Sequence, residues 1–96
     1  MSAAELPTIE QTSRVRMLLE HVPRDASKRR VGPLCVRGLR RGKEEWLVGY
    51  AWTRAPGTPT RDQIEHTILG HGDKLDDAVA MMQKRLGVDS HALQGS

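Results

Sequence analysis

The stretch 31-VGPLCVRGLRRGKEEWLVGYAWT-53 decides the fold of this 96-residue chain. Two runs rich in β-branched, aromatic and aliphatic residues flank the dipeptide Arg41-Gly42. Glycine can supply the positive φ angle that a tight hairpin turn requires. We therefore predict a β-hairpin with arms at 31–39 and 44–53.

The register of this hairpin does not depend on the length of its turn. A two-residue loop and a four-residue loop place the same residues opposite each other, because the loop grows by one residue on each side. The predicted pairs are Leu39 with Glu44, Arg37 with Trp46, Cys35 with Val48, and Pro33 with Tyr50.

The two faces of the predicted hairpin differ in chemistry, because successive side chains of a strand point to opposite sides. One face is aliphatic and carries Leu34, Val36, Leu47, Gly49 and Ala51. The other carries every aromatic residue of the chain, and its members are Trp46, Val48, Tyr50, Trp52, Cys35, Arg37 and Leu39. The aromatic face is either the core, since large rings dominate burial energetics, or a platform on which nucleobases stack. The sequence leaves both interpretations open.

Helices are predicted on both sides of the hairpin. Thr8 and Gln11 have the spacing of a capping box, and an apolar stripe follows before Pro23 stops the helix. That stripe consists of Val15, Leu18, Leu19 and Val22. The second helix is predicted to begin with Asp73 as its cap and to end at Gly87. Its apolar stripe consists of Leu75, Ala78, Val79, Met82 and Leu86.

The segment 63–69 is ambiguous. Its alternation favours a short third strand, whereas Thr60 and Gln63 could cap a short helix that ends at Gly70. With the strand, the element order is α-β-β-(β)-α, an α+β fold in which a small antiparallel sheet packs against an N-terminal and a C-terminal helix. We expect one domain at 8–88, with flexible tails at 1–7 and 89–96.

Positive charge is concentrated in one part of the chain. The net charge is only +3, but the segment 24–43 holds eight basic residues against the single acid Asp25. That segment therefore carries +7, and the other 76 residues together carry −4. Such polarity predicts a local positive field, although solvated surface charge would give the same pattern.

The charge and the aromatic strand together suggest a nucleic-acid interface on the hairpin and the loop before it. Phosphate contacts are assigned to Arg29, Arg30, Arg37, Arg40, Arg41 and Lys43. Trp46 is the predicted stacking residue, and an Arg37–Trp46 pair across the strands is expected to form a cation–π contact. The alternative is a non-catalytic protein-interaction or accessory domain, such as a homodimer or a binder of an acidic protein surface.

An enzymatic function, a cofactor and a metal are not predicted. No convergent set of acid, base and nucleophile is visible, and His66, His71 and Asp73 match no familiar zinc spacing. The single cysteine, Cys35, excludes an internal disulfide and favours a reducing cytoplasm. No apolar run approaches the length of a membrane span, so a membrane partner is not expected.

The predicted element order resembles that of double-stranded-RNA-binding domains and is similar to that of the arm-binding domains of phage-type integrases. These are resemblances of fold, from which function does not follow. The RNA-binding family begins its last helix with lysines, whereas this chain has Asp76 and Asp77 there, which counts against that mode of RNA contact. The stretch Gly72 to Ala78 resembles the strand-to-helix junction of HicB-type antitoxin domains.

Overall fold

Two helices and three strands make up residues 6–88, the part of the chain that the computed structural model describes. The elements are α1 (Ile9–Leu19), β1 (Arg29–Arg40), β2 (Lys43–Thr53), β3 (Glu65–Gly72) and α2 (Leu75–Leu86). The order α-β-β-β-α confirms the predicted α+β fold and resolves the ambiguous segment as a strand. Most of the predicted tails, residues 1–5 and 89–96, lies outside the described residues.

The sheet is antiparallel in the order β1-β2-β3, so β2 lies at its centre. All four predicted hairpin pairs are present. Thr60 and Gln63 also interact as predicted, with the Thr60 N–H donating to Gln63 Oε1 at 2.9 Å. They open only a single 3-10 turn (Arg61–Gln63), and β3 then starts at Glu65. The segment is therefore a strand that follows a short turn, and the alternative of a helix ending at Gly70 is wrong.

Helix α1 begins as predicted and ends earlier than predicted. Thr8 and Gln11 form the capping box, but the helix stops at Leu19 rather than at Pro23. Pro23 has no N–H to donate to the Leu19 carbonyl oxygen, and the chain after Leu19 tightens into a turn in which the Val22 N–H donates to that oxygen at 3.1 Å. The Arg30 guanidinium also donates to the carbonyl oxygens of Leu19 and Val22, both at 2.8 Å, and so holds the end of the helix.

The start of helix α2 corrects the prediction for Asp73. The helix begins at Leu75 with Lys74 as its N-cap, and no side chain caps it. The Asp73 carboxylate instead lies 3.1 Å from Nζ of Lys43 on the hairpin. Gly87 ends the helix in the left-handed conformation, as predicted, with a φ of 70°.

Both helices pack on the aromatic face of the sheet, which is therefore the core. Trp46, Val48 and Trp52 are buried there. The helices supply further buried residues, which are Val15, Leu18, Leu19, Leu75, Ala78, Val79 and Met82. Gly70 lets α2 approach β3 closely, because a Cβ at this position would lie 2.0 Å from the carbonyl oxygen of Ala78.

The two helices also lie beside each other. The Gln11 side-chain amide on α1 donates to Oδ1 of Asp76 on α2 at 3.2 Å. The core thus joins the first and last described helices over one face of the sheet. No described helix covers the opposite face, which we call the helix-free face.

Candidate interaction surfaces

The burial of Trp46 corrects its assignment as a stacking residue. Trp46 is 4% exposed and Trp52 is 8% exposed. Trp46 belongs to the same core cluster as Val15, Leu18 and Met82. A nucleobase cannot reach a ring in that position, because the helices already occupy the aromatic face. The platform interpretation is therefore wrong.

Two of the residues predicted to contact phosphates are paired within the chain. They are Lys43, which lies in the hairpin tip (Arg40 to Lys43), and Arg37, which lies beside the tip. Lys43 forms the ion pair with Asp73, and the hydrogen bond and charge of that carboxylate raise the pKa of Lys43. Arg37 Nε lies 3.4 Å from Glu44 Oε1. The Arg37 guanidinium also lies 5.7 Å from the Trp46 ring centroid, which confirms the predicted cation–π contact.

The other two tip residues, Arg40 and Arg41, are differently placed. Within residues 6–88, neither side chain has a hydrogen bond or an ion pair. Arg41 is exposed and adopts a positive φ of 55° in the turn. These two guanidinium groups are therefore available to an anionic partner.

Arg29 and Arg30 lie at the other end of the hairpin, which we call the base. Arg29 Nη2 donates to the carbonyl oxygens of Ala55 and Gly57, and Arg30 holds the end of α1. The eleven residues from Arg30 to Arg40 span about 34 Å in a strand. The seven predicted site residues therefore do not form one patch.

Cations at the base contact aromatic rings. Lys28 Nζ lies 4.7 Å from the Trp52 ring centroid, Arg54 lies 5.2 Å from it, and Arg30 lies 5.2 Å from that of Tyr50. Arg54 was not among the predicted site residues, because it lies outside the basic segment 24–43. Period-two alternation could have found it, since Arg54 follows Trp52 by two residues. These cation–π contacts stabilise the edge of the core at the base of the hairpin.

The helix-free face is aliphatic. β1 contributes Leu34 and Val36, β2 contributes Leu47 and Ala51, and β3 contributes Ile68. None of the five belongs to the described core cluster, and Val36 is 45% exposed. An antiparallel sheet with helices on one side usually presents polar residues on the other. Here five aliphatic side chains lie on the solvent side between His66 and the pair of Glu45 and His71, and an apolar patch in this position is typical of a surface that another molecule covers.

A buried polar pair borders this face on the side of the hairpin tip. His71 Nδ1 donates to Glu45 Oε2 at 2.8 Å, and Glu45 is buried. From the sequence, Glu45 was explained only as a charged residue at the end of the hairpin. The register could have revealed the pair, since Gly38, Glu45, Leu47 and His71 all lie on this face.

The structure separates Cys35 from the histidines. Cys35 lies on the core side of β1, whereas His66 and His71 lie on the helix-free side. Burial raises the pKa of the Cys35 thiol, which keeps it protonated near neutral pH. Residues 6–88 contain no cluster of three or more potential metal ligands.

Comparison with protein-family models, curated proteins and solved structures gave no match. Among residues 6–88, no helix is both long enough and apolar enough to cross a membrane. Function must therefore be inferred from the geometry of two surfaces, the hairpin tip and the helix-free face.

Proposed function

We propose that this chain is a protein-interaction domain and that the helix-free face is its contact surface. The observation that carries the proposal is the row of aliphatic side chains on the outer side of a sheet whose inner side is already packed. Leu34, Leu47 and Ile68 are partly exposed, and Val36 is exposed.

The energetics favour an apolar protein partner for this face. Complete burial of one Leu, Ile or Val side chain contributes about 1.5–3 kcal/mol, and several such side chains lie side by side here. A nucleic acid offers phosphates and polar base edges, which gain little from an aliphatic surface. A flat apolar surface on another protein gains the most.

Affinity capture with matched variants tests this proposal. Tagged wild-type chain would be compared with Leu47→Lys on the helix-free face and with Met17→Lys on the partly exposed side of α1. We expect a partner retained by the wild type and by Met17→Lys but lost from Leu47→Lys. If all three baits retained the same set of proteins, untagged copies of the chain included, the result would contradict the proposal.

Nucleic-acid binding is the second candidate, and the unpaired Arg40 and Arg41 at the hairpin tip favour it. A polyanion, either a nucleic acid or an acidic protein surface, would approach these two residues first. Base stacking on Trp46 is not part of this candidate function, because the Trp46 ring is buried. Phosphate contacts release counterions, so such binding would weaken steeply with salt.

A fluorescence anisotropy titration tests the second candidate. Duplex and single-stranded DNA and RNA would be titrated at low salt with the wild type, with Arg40→Ala/Arg41→Ala, and with Arg14→Ala as a control on α1. We expect the double variant to lose most of the binding and the control to keep it. Absence of binding by the wild type, or equal binding by all three proteins, would exclude this role for the tip.

We propose that the chain works in a reducing compartment such as the cytoplasm, because its single cysteine has a partly buried thiol that needs no oxidising environment.

A further inference from the structure

We propose that the partner protein adds an extended acidic segment to the outer edge of β1, where the segment forms a fourth strand of the sheet. The segment pairs with residues 34–40, the half of β1 towards the hairpin tip. This inference rests on the proposed interaction function and adds the chemistry and position of the partner. Every second side chain of the added strand would lie beside Leu34 and Val36 and extend the helix-free face.

The first argument is that β1 is a long edge strand. It lies at one end of the sheet order β1-β2-β3, and its 12 residues make it about twice as long as an average strand. Arg40 and Lys43 flank the two-residue turn and therefore form a hydrogen-bonded pair. Alternate residues back from Arg40, such as Gly38, direct their N–H groups to β2 for the same reason. The N–H groups of Cys35 and Leu39 point away from β2.

The two halves of β1 differ in how strongly they oppose an added strand. In the half towards the base, Pro33 has no N–H at its outward position, and the register shifts between Arg30 and Gly32. Prolines and bulges protect sheet edges from pairing with other chains. Residues 34–40 contain neither device. Within residues 6–88, Cys35 and Leu39 make no backbone hydrogen bond outside the sheet, so this half can accept a strand.

Charge is the second argument, and it selects an acidic segment. β1 contains four arginines and no carboxylate. Glu44 offsets the charge of Arg37, whose Nε lies 3.4 Å from its carboxylate, so Arg40 and Arg41 set the sign of this edge near the tip. Pairing β1 with another copy of itself would bring arginines of two chains together. A segment with a carboxylate beside Arg40 gains a charge-assisted contact instead.

The side chains of this half define the pattern of the segment. Leu34 and Val36 lie on the helix-free side, and Leu39, on the other side, is 75% exposed. Apolar residues beside these three and acids beside Arg37 and Arg40 satisfy the cross-strand preferences of a sheet. An antiparallel segment with this pattern is Glu-Val-Thr-Glu-Val-Thr-Val, from the residue opposite Arg40 to the residue opposite Leu34.

Hydrogen exchange followed by NMR tests the edge in the chain without a ligand. We expect the amides of Cys35 and Leu39 to exchange fast and those of Val36 and Gly38, which donate to β2, to exchange slowly. Slow exchange of Cys35 and Leu39 would overturn the inference, because the edge would already be covered. Protection of these two amides that rises with the concentration of the chain would show a second copy at the edge and would overturn the acidic partner.

An NMR titration with the acetylated heptapeptide Glu-Val-Thr-Glu-Val-Thr-Val tests the partner. A short flexible peptide loses conformational freedom when it binds, so we expect saturation only at about 1 mM and slower exchange at Cys35 and Leu39. Two control peptides should bind at least about tenfold more weakly. One has Lys in place of Glu, and the other is N-methylated at its second, fourth and sixth residues, whose N–H groups would face β1.

Each peptide result decides one part of the inference. Absence of any change along β1 with the acidic peptide overturns the inference as a whole. Equal binding of the Lys peptide overturns the acidic character of the partner, and equal binding of the N-methylated peptide overturns strand addition.

Variants of the chain test the same contacts from the other side. Leu39→Pro removes an outward N–H without removing a bond to β2, and Leu39→Ala keeps that N–H and is the matched control. We expect Leu39→Pro to bind the acidic peptide about tenfold more weakly than Leu39→Ala, with an unchanged circular dichroism spectrum. Arg40→Glu should also weaken binding, whereas Arg61→Glu, the same charge change before β3, should not. Equal binding within either pair of variants would contradict the corresponding contact.

The capture experiment separates this inference from the proposed function when Leu39→Pro is added as a bait. A partner lost from both Leu47→Lys and Leu39→Pro supports both. A partner lost from Leu47→Lys but retained by Leu39→Pro supports the helix-free face as the contact surface and overturns the added strand. A partner set that is the same for Leu47→Lys and Met17→Lys contradicts the proposed function, whatever the peptide titration shows.

Discussion

Arg30 on β1 and Leu19 at the end of α1 are joined by a hydrogen bond of 2.8 Å between the guanidinium Nη1 and the carbonyl oxygen. Nη2 of the same side chain holds the carbonyl of Val22. A residue that the sequence suggested for phosphate binding thus connects the end of a helix to the edge of the sheet.

Arg30→Ala should destabilise the fold by about 2–3 kcal/mol, because two charge-assisted hydrogen bonds to backbone carbonyls at the end of α1 are lost. Urea unfolding followed by far-UV circular dichroism measures the change. Arg40→Ala is the control and should shift the midpoint very little. Equal midpoints for the two variants would show that Arg30 does not anchor α1.

Gly70→Ala should destabilise the chain by about 3 kcal/mol or more, because the added methyl would lie 2.0 Å from the Ala78 carbonyl and force β3 away from α2. Gly32→Ala is the matched control, since its methyl would enter open space. Thermal unfolding at a concentration where the chain is monomeric provides the comparison. A similar loss in both variants would argue against the close packing of α2 on β3.

Glu45→Ala should cost about 1–3 kcal/mol, because it removes a buried carboxylate and leaves His71 Nδ1–H without its acceptor. Glu44→Ala tests the neighbouring exposed carboxylate and should cost much less. The difference in urea midpoint at constant pH is the measurement. If Glu44→Ala proved the more damaging change, the Glu45–His71 contact would not be a structural one.

Cys35 should make the fold sensitive to alkaline pH. Burial raises the pKa of its thiol above the ordinary value of 9.0, so folding favours the neutral form. The stability that this provides is complete below the pKa of the unfolded chain and is lost as the pH rises through the pKa of the folded chain. The free energy of unfolding of the wild type should therefore fall relative to that of Cys35→Ala as the pH rises above the ordinary thiol pKa of 9.0. Parallel profiles would contradict the burial of the thiol.

The sequence predicted those parts of the fold that depend on local chemistry. The capping box at Thr8, the register of the hairpin and the separation of aromatic from aliphatic side chains all follow from turn geometry and period-two alternation. The choice of face for the helices could not be predicted, because both faces are apolar. The structure shows that the helices cover the face with the larger rings, which have more surface to bury.

The candidate site was less predictable, since a count of charges along the chain ignores residues that folding brings nearby. The basic segment holds one acid, but Glu44 and Asp73 lie beside its arginine and lysine side chains in the folded chain. Backbone carbonyls in the segments 19–22 and 55–57 accept hydrogen bonds from two further arginines. Of the six cations, only Arg40 and Arg41 have no hydrogen bond or ion pair within residues 6–88, so the prediction of phosphate contacts now concerns these two.

The side-by-side placement of α1 and α2 also constrains biosynthesis. Val15 and Leu18 leave the ribosome before the hairpin, yet α2 supplies Met82 to the same buried cluster. Until Leu75–Leu86 has emerged, the first helix and the nascent sheet have no complete core to bury these side chains. Folding of this part of the chain is therefore completed only after α2 has emerged, and until then both apolar faces of the hairpin remain accessible to chaperones.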